Sequence, residues 1–351
     1  MTRVLVTGVG AVLPGLVGGA AALEARLGAA VPWGGAVDDG ALAPLVDPGE
    51  ARRLSRICRL AVAAARLALA DAGRAADAAT ALVAGTEFGD LRSTIAFADG
   101  YLTGGPTALS PLLFPNTVMN AMAAAATIAV GARGPSLTVN APTVAGALAV
   151  ARAAAAVAAG RVDVAVAGGV DEREALLEAT LRDLGVPGAR GEGAVFLVLE
   201  GETTARARGA RVLGELRGAA TRSLAARPHG VGRGRGPAAV EAALAAAGLA
   251  PGALGWAYVS ATGDAARDAW EAALLDRAFG ERRLARTAPA RWLGASAATG
   301  ALAVAAAAWT ARVGRLPDAG GPLDVPPGPG LVHALARGGV QVALVVGPPE
   351  R

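Results

Sequence analysis

The sequence predicts an α/β protein made of two similar halves that pack as a five-layer α-β-α-β-α sandwich. Strand patterns alternate with helix patterns along the whole chain, which is typical of the α/β class. A segment near residue 210 repeats the pattern of the chain start. Each half also contains one long, uncharged segment, 134–151 and 292–311. Because a helix that is apolar on all sides is buried, we expect these two segments to form a central layer.

The first half has a regular order of elements. Alternating β-branched residues predict a strand at Val4–Thr7, and helical periodicity predicts a helix at 20–27. The remaining elements are predicted from the same signals together with glycine stops: a helix at 52–72, strands at 81–85 and 137–140, a helix at 143–159, and strands at 162–167 and 194–199.

The second half begins with ARVLGELRGAA (210–220), which parallels TRVLVTGVGAV (2–12). Residues 1–205 and 206–351 are therefore predicted to be the two halves of one compact unit. The predicted elements are a helix at 237–247, a strand at 256–260, a buried helix at 297–311 and a closing strand at 340–346. Proline and glycine mark surface loops at 226–237 and 317–330.

Composition excludes several classes of function. Of the 351 residues, 53% are hydrophobic but only 3% are aromatic, so the layers must pack through alanine and glycine. All 33 basic residues are arginine, so no lysine Schiff base and no P-loop lysine is possible. The net charge is +4 and the arginines are scattered, which argues against nucleic acid as a partner but leaves open a basic face for an acidic protein.

The chain is expected to be cytoplasmic. Its single cysteine, Cys58, lies at an apolar position of the 52–72 helix and is predicted to be a core or interface residue, with no disulfide possible within the chain. The start, MTRVLVTGVGAV, lacks the apolar region of a signal peptide. Alanine and glycine gain little on transfer to lipid, so the two uncharged segments are interpreted as buried helices and not as membrane spans.

The segment GPSLTVNAPTVAG (134–146) predicts a strand that enters a helix through a tight turn presenting Thr143. The segments VTGVGAVLPG, SPLLFPNTVMN, GPSLTV, GRVDVAVAGGVD, GEGAVFLVLE, AYVSATGDAARDAWEAALLDRAFG and ALARGGVQVALVV follow one another in the order of a known family. On these segments the chain resembles a β-ketoacyl synthase of the thiolase-like fold. The resemblance implies that Thr143 stands where the family has its acyl-accepting cysteine. It also implies that Thr262 replaces the first histidine, and that the family's lysine and second histidine fall near Pro289 and Gly294.

The catalytic set that the resemblance implies is therefore absent. The chain has no lysine, and its only histidines are His229 and His333. A threonine hydroxyl needs a base beside it to act as a nucleophile. Condensation by a cysteine and two histidines is excluded by this inventory, so no residue is assigned a catalytic role.

The family's oxyanion turn corresponds to residues 335–339, where Arg337 replaces an aromatic residue before Gly338 and Gly339. Arg337 must turn outward, pair with an acid or close the pocket. Between GGVDE and GEGA the chain has only REALLEATLRDLGVPGAR. The resemblance implies a longer segment there, which would cover the entrance to the active site.

Each of these features could also have a purely structural role. Thr143 is predicted to be a helix N-cap. His229 is predicted to lie in a loop, and His333 to be a packed or surface residue. The pairs Gly168-Gly169 and Gly338-Gly339 are interpreted as turns where backbones crowd. No cluster has metal-ligand spacing, and no cofactor is expected.

Three functions remain open. The first is a chain length factor-like subunit that pairs with an active ketosynthase and shapes its acyl tunnel, with Leu109, Leu112, Phe114 and Met119 as tunnel or interface candidates. The second is an acyltransferase or hydrolase that uses Thr143 with His229 or His333 as its base. The third is a module that docks an acyl carrier protein through arginines.

Overall fold

A computed structural model of the protein describes residues 2–29, 33–186, 188–232, 234, 236–280, 282 and 284–350. The strands are β1 (Val4–Leu13), β2 (Leu16–Gly18), β3 (Ala81–Thr86), β4 (Ser136–Asn140), β5 (Val164–Asp171), β6 (Gly193–Gly201), β7 (Gly214–Ser223), β8 (Trp256–Tyr258), β9 (Ala285–Thr287), β10 (Arg315–Leu316), β11 (Leu323–Asp324), β12 (Gly330–Leu335) and β13 (Val340–Gly347).

The helices are α1 (Ala20–Leu27), α2 (Asp39–Leu42), α3 (Pro48–Ala51), α4 (Arg56–Asp71), α5 (Leu91–Gly104), α6 (Ala121–Val130), α7 (Ala145–Ala158), α8 (Ala175–Asp183), α9 (Glu202–Ala207), α10 (Ala238–Ala247), α11 (Ala265–Phe279), α12 (Ala290–Leu293) and α13 (Ala297–Val313). Short 3-10 turns lie at Ala43–Leu45, Pro106–Ala108, Phe114–Asn116 and Pro251–Ala253.

The two halves have the same strand order. The first sheet runs β4-β3-β5-β6-β1, and the second runs β9-β8-β12-β13-β7. In each half the first three strands of this order are parallel, and the last two pair antiparallel with their neighbours. Antiparallel pairing of β1 with β7 joins the halves edge to edge. The repeated pattern read from the sequence therefore corresponds to a repeated topology.

Five layers result from this arrangement. Helix α4 packs outside the first sheet, α10 packs outside the second, and α7 and α13 pack against each other and against strands of both halves. The uncharged segments supply the first half of α7 and nearly all of α13, and Arg152 and Arg312 lie in the later turns of these helices. No helix in the described part of the chain has the length and apolarity that crossing a membrane requires.

Close packing of the centre depends on glycine. A Cβ atom at Gly146 of α7 would lie 1.9 Å from the carbonyl oxygen of Ala297 in α13, and one at Gly169 of β5 would lie 2.1 Å from the same oxygen. Both distances are far below van der Waals contact, so only glycine fits at either position. The alanine- and glycine-rich composition is thus what lets two helices and a sheet meet at the site described below.

Most predicted boundaries agree with the structure to within a few residues. The helix predicted at 52–72 begins later, at Arg56, because residues 52–55 connect it to α3. The predicted 317–330 loop contains the short strand β11, which pairs with β10. In the predicted 226–237 loop, Arg233 and Arg235 lie outside the described residues.

Candidate functional site

A small cavity of about 20 Å³ lies where the N-termini of α7 and α13 meet the carboxyl ends of parallel strands. This is the usual place for a ligand site in an open α/β sheet. The volume is enough for about one water molecule. Its walls are formed by residues from both halves: Glu87, Thr143, Ala147, Val259, Ser260, Thr262, Pro289, Ala290, Ala295, Ser296, Thr299, Gly300, Ala303, Val332, His333 and Ala334.

Thr143 lies at this cavity in a strained backbone conformation. Its φ angle is +68°, and the only other non-glycine residue with positive φ among the described residues is His229. Positive φ is a genuine outlier for a β-branched residue, because its Cβ crowds the backbone. The expected N-cap role for Thr143 is wrong: the cap position belongs to Val144, and no side chain caps α7. The turn thus holds Thr143 where it presents its side chain to the cavity.

The backbone N–H of Thr143 is hydrogen-bonded to a carboxylate. This N–H donates to Oε1 of Glu87 at 2.9 Å, and Oε2 of Glu87 accepts an ion pair from Arg190 at 2.7 Å. The Glu87 backbone is itself fixed, because Nδ2 of Asn140 donates to its carbonyl oxygen at 2.9 Å. A negative charge at a helix N-terminus is favourable, and here the protein supplies that charge itself.

Asp171 plays the same part at the start of α13. Its carboxylate accepts from the backbone N–H groups of Ala297 (2.6 Å) and Glu87 (2.9 Å) and from the hydroxyl of Thr86 (2.7 Å). Burial, helped by the neighbouring charge of Glu87, raises the pKa of Asp171 to about 6, while Arg190 opposes that rise. Two acidic residues therefore tie the ends of β3 and β5 to the two central helices.

The other positions that the resemblance matches to catalytic residues, Thr262, Pro289 and Gly294, carry no basic side chain. Thr262 lines the cavity, and its backbone N–H and that of Gly263 donate to the carboxylate of Asp268. Pro289 also lines the cavity. Gly294 does not line the cavity, because a Cβ atom at this position would point at the backbone of Arg190 and Gly191.

A buried polar cluster lies on the second half's side of the cavity. Nδ1 of His333 is 2.8 Å from Oε1 of Glu271, and Glu271 also accepts from the backbone N–H and the hydroxyl of Ser260. Arg267 donates to the Ser260 hydroxyl at 2.9 Å and to the Leu335 carbonyl oxygen at 2.9 Å. Burial alone would raise the pKa of Glu271, but the hydrogen bond from His333 and the nearby charges outweigh it and hold that pKa below its ordinary value.

Two buried polar atoms at the cavity have no partner. They are Nε2 of His333 and Oγ of Ser296, and each residue is 1% exposed. Buried polar atoms in folded proteins are nearly always paired, so two unpaired atoms in the wall of one small cavity are unusual. His333 is thus not on the surface: it is a buried residue in the wall of the site. His229 lies in a turn and is not part of that wall.

Arg337 pairs with an acid, one of the three outcomes considered for it. Its Nε and Nη2 atoms lie 2.5 and 2.8 Å from the carboxylate of Asp264, and Nη1 donates to the carbonyl oxygen of His229. In the turn that follows, Gly338 and Gly339 have φ angles of +86° and +94°, and a Cβ atom at Gly339 would lie 2.2 Å from the carbonyl oxygen of Leu224. The guanidinium group therefore stays out of the cavity.

The four tunnel candidates lie outside this cavity. Leu112 is 87% exposed, Phe114 is 59% exposed and Met119 is 47% exposed, while Leu109 is half-buried. The turn at Phe114–Asn116 packs on α5 and α6, and α6 packs on β4. The candidates thus belong to an apolar outer face next to β4. Among the described residues, no group of three or more His, Cys, Asp or Glu side chains is arranged to hold a metal ion.

Sequence reasoning missed Glu87, Glu271 and Arg267. Each is charged and at most 5% exposed, and each is paired with a residue far away in the chain. A carboxylate directly after a buried strand, as in ALVAGTE (81–87), was a usable signal for Glu87, because that position points to the carboxyl edge of the sheet.

The family model described as Beta-ketoacyl synthase, N-terminal domain, matches residues 21–178. The chain is 30% identical over 284 residues to the granaticin polyketide beta-ketoacyl synthase 1 of Streptomyces violaceoruber, covering 72% of this chain and 68% of that protein. It is 28% identical to a 3-oxoacyl-[acyl-carrier-protein] synthase 2 of Synechocystis sp., covering 79% of this chain and 77% of that protein.

The fold has a solved counterpart. The ishigamide ketosynthase/chain length factor structure superposes with a TM-score of 0.87 at 22% identity, covering 99% of this chain and 100% of that one. At that identity the likeness shows the thiolase-like fold alone. Together with the sequence matches, it leads to one conclusion: the chain belongs to the β-ketoacyl synthase family.

Proposed function

We propose that this chain is a non-condensing ketosynthase-like subunit. It pairs with an active β-ketoacyl synthase in type II polyketide or fatty-acid-like biosynthesis and helps to shape the acyl tunnel of that partner. The observation that carries the proposal is the carboxylate of Glu87 on the backbone N–H of Thr143.

Condensation requires a nucleophile and a donor for the oxyanion that develops on the acyl carbonyl. At the start of α7 the thiol is replaced by a hydroxyl, and the backbone N–H already serves a carboxylate. The N–H of Gly339 in the opposite turn donates within the turn, to the carbonyl oxygen of Ala336. A second negative charge beside Glu87 would be repelled, so this arrangement supports a role without condensation.

The outer face supports a partner. Strand β4 pairs only with β3 among the described strands, so its other edge offers unpaired backbone groups. Exposed apolar side chains accompany this edge and the segments that pack near it: Tyr101, Leu102, Leu112, Phe114, Met119, Ile128 and Leu137. An open strand edge with a large apolar surface marks a protein interface. We call this set the β4 face.

The named relatives indicate which partner fits the β4 face. One solved counterpart is itself a ketosynthase/chain length factor pair by its name, and the granaticin relative is a polyketide synthase component by its name. The occupant proposed here is therefore a ketosynthase that keeps its cysteine and histidines. An acyl carrier protein is the second proposed partner, because the Synechocystis relative acts on acyl carrier protein by its name.

Native mass spectrometry of the tagged chain with its co-purified partner tests the pairing. We expect a one-to-one complex whose second subunit carries the cysteine-histidine-histidine set. Leu112→Asp should break it, whereas Leu176→Asp, on an exposed leucine of α8, should not. A homodimer alone, or carrier protein alone, would contradict the proposal.

Product length tests the tunnel. In the assembled complex, Leu109→Ala or Phe114→Ala should lengthen the products of the paired synthase, because a smaller side chain leaves more room at the tunnel floor. Unchanged products after alanine substitution at all four candidates would remove the tunnel role while leaving the pairing intact.

A further inference from the structure

The second half has an open strand edge where the first half has a paired one. Thr7 of β1 has no partner on β6, and Arg217 of β7 has none on β13, so each strand carries one bulge at an equivalent position. Residues 11–13 begin four residues after the β1 bulge, and their edge away from β6 pairs with β2. Residues 221–223 begin four residues after the β7 bulge, but among the described strands none pairs with their edge away from β13. The position that β2 fills in the first half is therefore open in the second.

The backbone groups of Thr221 and Ser223 point toward this open edge. In an antiparallel pair, successive residues direct their N–H and C=O groups alternately to one side of the strand and then to the other. The N–H of Leu224 donates to the carbonyl oxygen of Gly339 at 2.8 Å, so Leu224 and Arg222 face β13. Thr221 and Ser223 therefore offer their backbone groups to an added strand, and Nη1 of Arg222 donates to the Thr221 carbonyl oxygen at 2.9 Å.

A groove of about 680 Å³ lies along the open edge, and we call it the β7 groove. Its floor is formed by residues 219–223 of β7. At roughly 3.4 Å per residue this floor is about 17 Å long, which is the length of a common strand. Helices α7 and α10 form the two walls with small side chains, namely Ala151, Ala155, Ala242 and Ala246. Because these side chains are short, they leave room for the backbone of another strand beside β7.

The charge of the β7 groove indicates what kind of chain fits it. Arg152 of α7 and Arg222 of β7 both line the groove, and both are exposed. Among the described residues, no carboxylate lies within ion-pair distance of either guanidinium group. Two β7 edges facing each other would bring the arginines of two copies together, and like charges disfavour such pairing. The complementary occupant is therefore an acidic chain in extended conformation.

The β7 groove is next to the β4 face. Helix α7 packs against β3 and β4 of the first sheet and against β7 of the second. The same helix supplies Ala151, Arg152 and Ala155 to the groove. A subunit that covers the open edge of β4 is therefore placed beside the groove as well.

We propose that the β7 groove binds an extended, acidic segment of the partner ketosynthase as an added strand. Its backbone bonds to Thr221 and Ser223, as β2 bonds to β1 in the first half, and its carboxylates pair with Arg152 and Arg222. In strand addition the backbone hydrogen bonds give affinity and the side chains give specificity. The inference rests on the pairing proposed above and adds a second contact region to it.

Photo-crosslinking of the co-purified complex tests the occupant. The probe p-benzoylphenylalanine replaces Ser223, and in a separate sample it replaces Leu137 of β4 as the reference for pairing. Mass spectrometry then identifies the linked peptides. We expect the probe at Ser223 to link to an acid-rich segment of the ketosynthase, and the probe at Leu137 to link to a different segment of the same chain.

The two probe positions separate the two proposals. Links from Leu137 alone would overturn the β7 groove proposal and leave the pairing intact. A link from Ser223 to a carrier protein or to a second copy of this chain would also overturn it. If neither probe links to a second chain, both proposals fail.

Charge reversal tests the arginines. Arg152→Glu with Arg222→Glu should raise the dissociation constant of the complex about tenfold at low ionic strength. The effect should shrink at about 1 M salt, where the Debye length is about 3 Å. The matched control is Arg161→Glu with Arg277→Glu, which changes the net charge equally at two exposed positions outside the groove. Equal weakening by both pairs of substitutions, or none by either, would contradict the proposal.

Discussion

Replacing Glu172 by glutamine should remove a loss of stability that the protein undergoes as the pH rises through 7. Glu172 is 7% exposed, and its Oε2 has no hydrogen-bond partner, while Oε1 accepts from the backbone N–H of Arg92 at 3.0 Å. Burial, with the nearby carboxylates of Asp90 and Glu192, raises the pKa of Glu172 from 4.5 to about 7 against the opposing Arg92.

The direction of this pH dependence follows from the number of protons bound by the folded and unfolded states. Between pH 4.5 and pH 7 the folded protein holds a proton on Glu172 that the unfolded chain has lost. The stabilisation is therefore complete below the unfolded pKa and is lost as the pH rises through the folded pKa. The interval is about 2.5 pH units, and at about 1.4 kcal/mol per unit it corresponds to about 3.5 kcal/mol. About 1.4 kcal/mol of this falls between pH 6 and 8.5.

Urea unfolding at pH 6, 7 and 8.5, followed by tryptophan fluorescence, measures this loss. The free energy of unfolding of Glu172→Gln, relative to the wild type, should rise by about 1.4 kcal/mol across that range. The control Glu241→Gln, at an exposed position of α10, should keep the wild-type dependence. Parallel curves for the wild type and Glu172→Gln would refute the reasoning, because the carboxyl would then be ionised at pH 6.

Three further predictions concern the centre of the fold. Glu87→Ala should lower the free energy of unfolding in urea by about 3 kcal/mol because it leaves Arg190 unpaired, and adding Arg190→Ala should recover part of that loss. If the costs of the two substitutions simply add, the two side chains do not interact. Thr143→Gly should stabilise the protein by about 1 kcal/mol by relieving the positive φ, and a destabilised variant would show that the turn holds no strain. Gly146→Ala should cost about 3 kcal/mol or prevent folding, since its Cβ would overlap the Ala297 carbonyl, and a thermal midpoint equal to wild type would contradict that packing.

The layer order could be predicted from sequence because it depends on local signals. Strand 81–85 and helix 143–159 correspond closely to β3 and α7, since glycine stops and apolar periodicity act over a few residues. The absence of lysine and the presence of only one cysteine and two histidines could also be read directly, because a residue inventory needs no structure.

The contents of the cavity could not be predicted in the same way. Glu271 and His333 are 62 positions apart, and Glu87 and Thr143 are 56 apart, so only the fold brings each pair together. The N-cap prediction for Thr143 failed for a related reason. Threonine is a good cap by propensity, but here the backbone turns to positive φ and the cap position moves to Val144.

The close approach of Gly146 and Gly169 to the Ala297 carbonyl limits which substitutions the chain can accept. Gly146 and Gly169 approach that one oxygen from a helix and from a strand, so a side chain at either position would push three elements apart. These two positions are therefore constrained by the backbones of neighbouring elements, whatever chemistry the cavity performs, and we expect both to accept glycine alone.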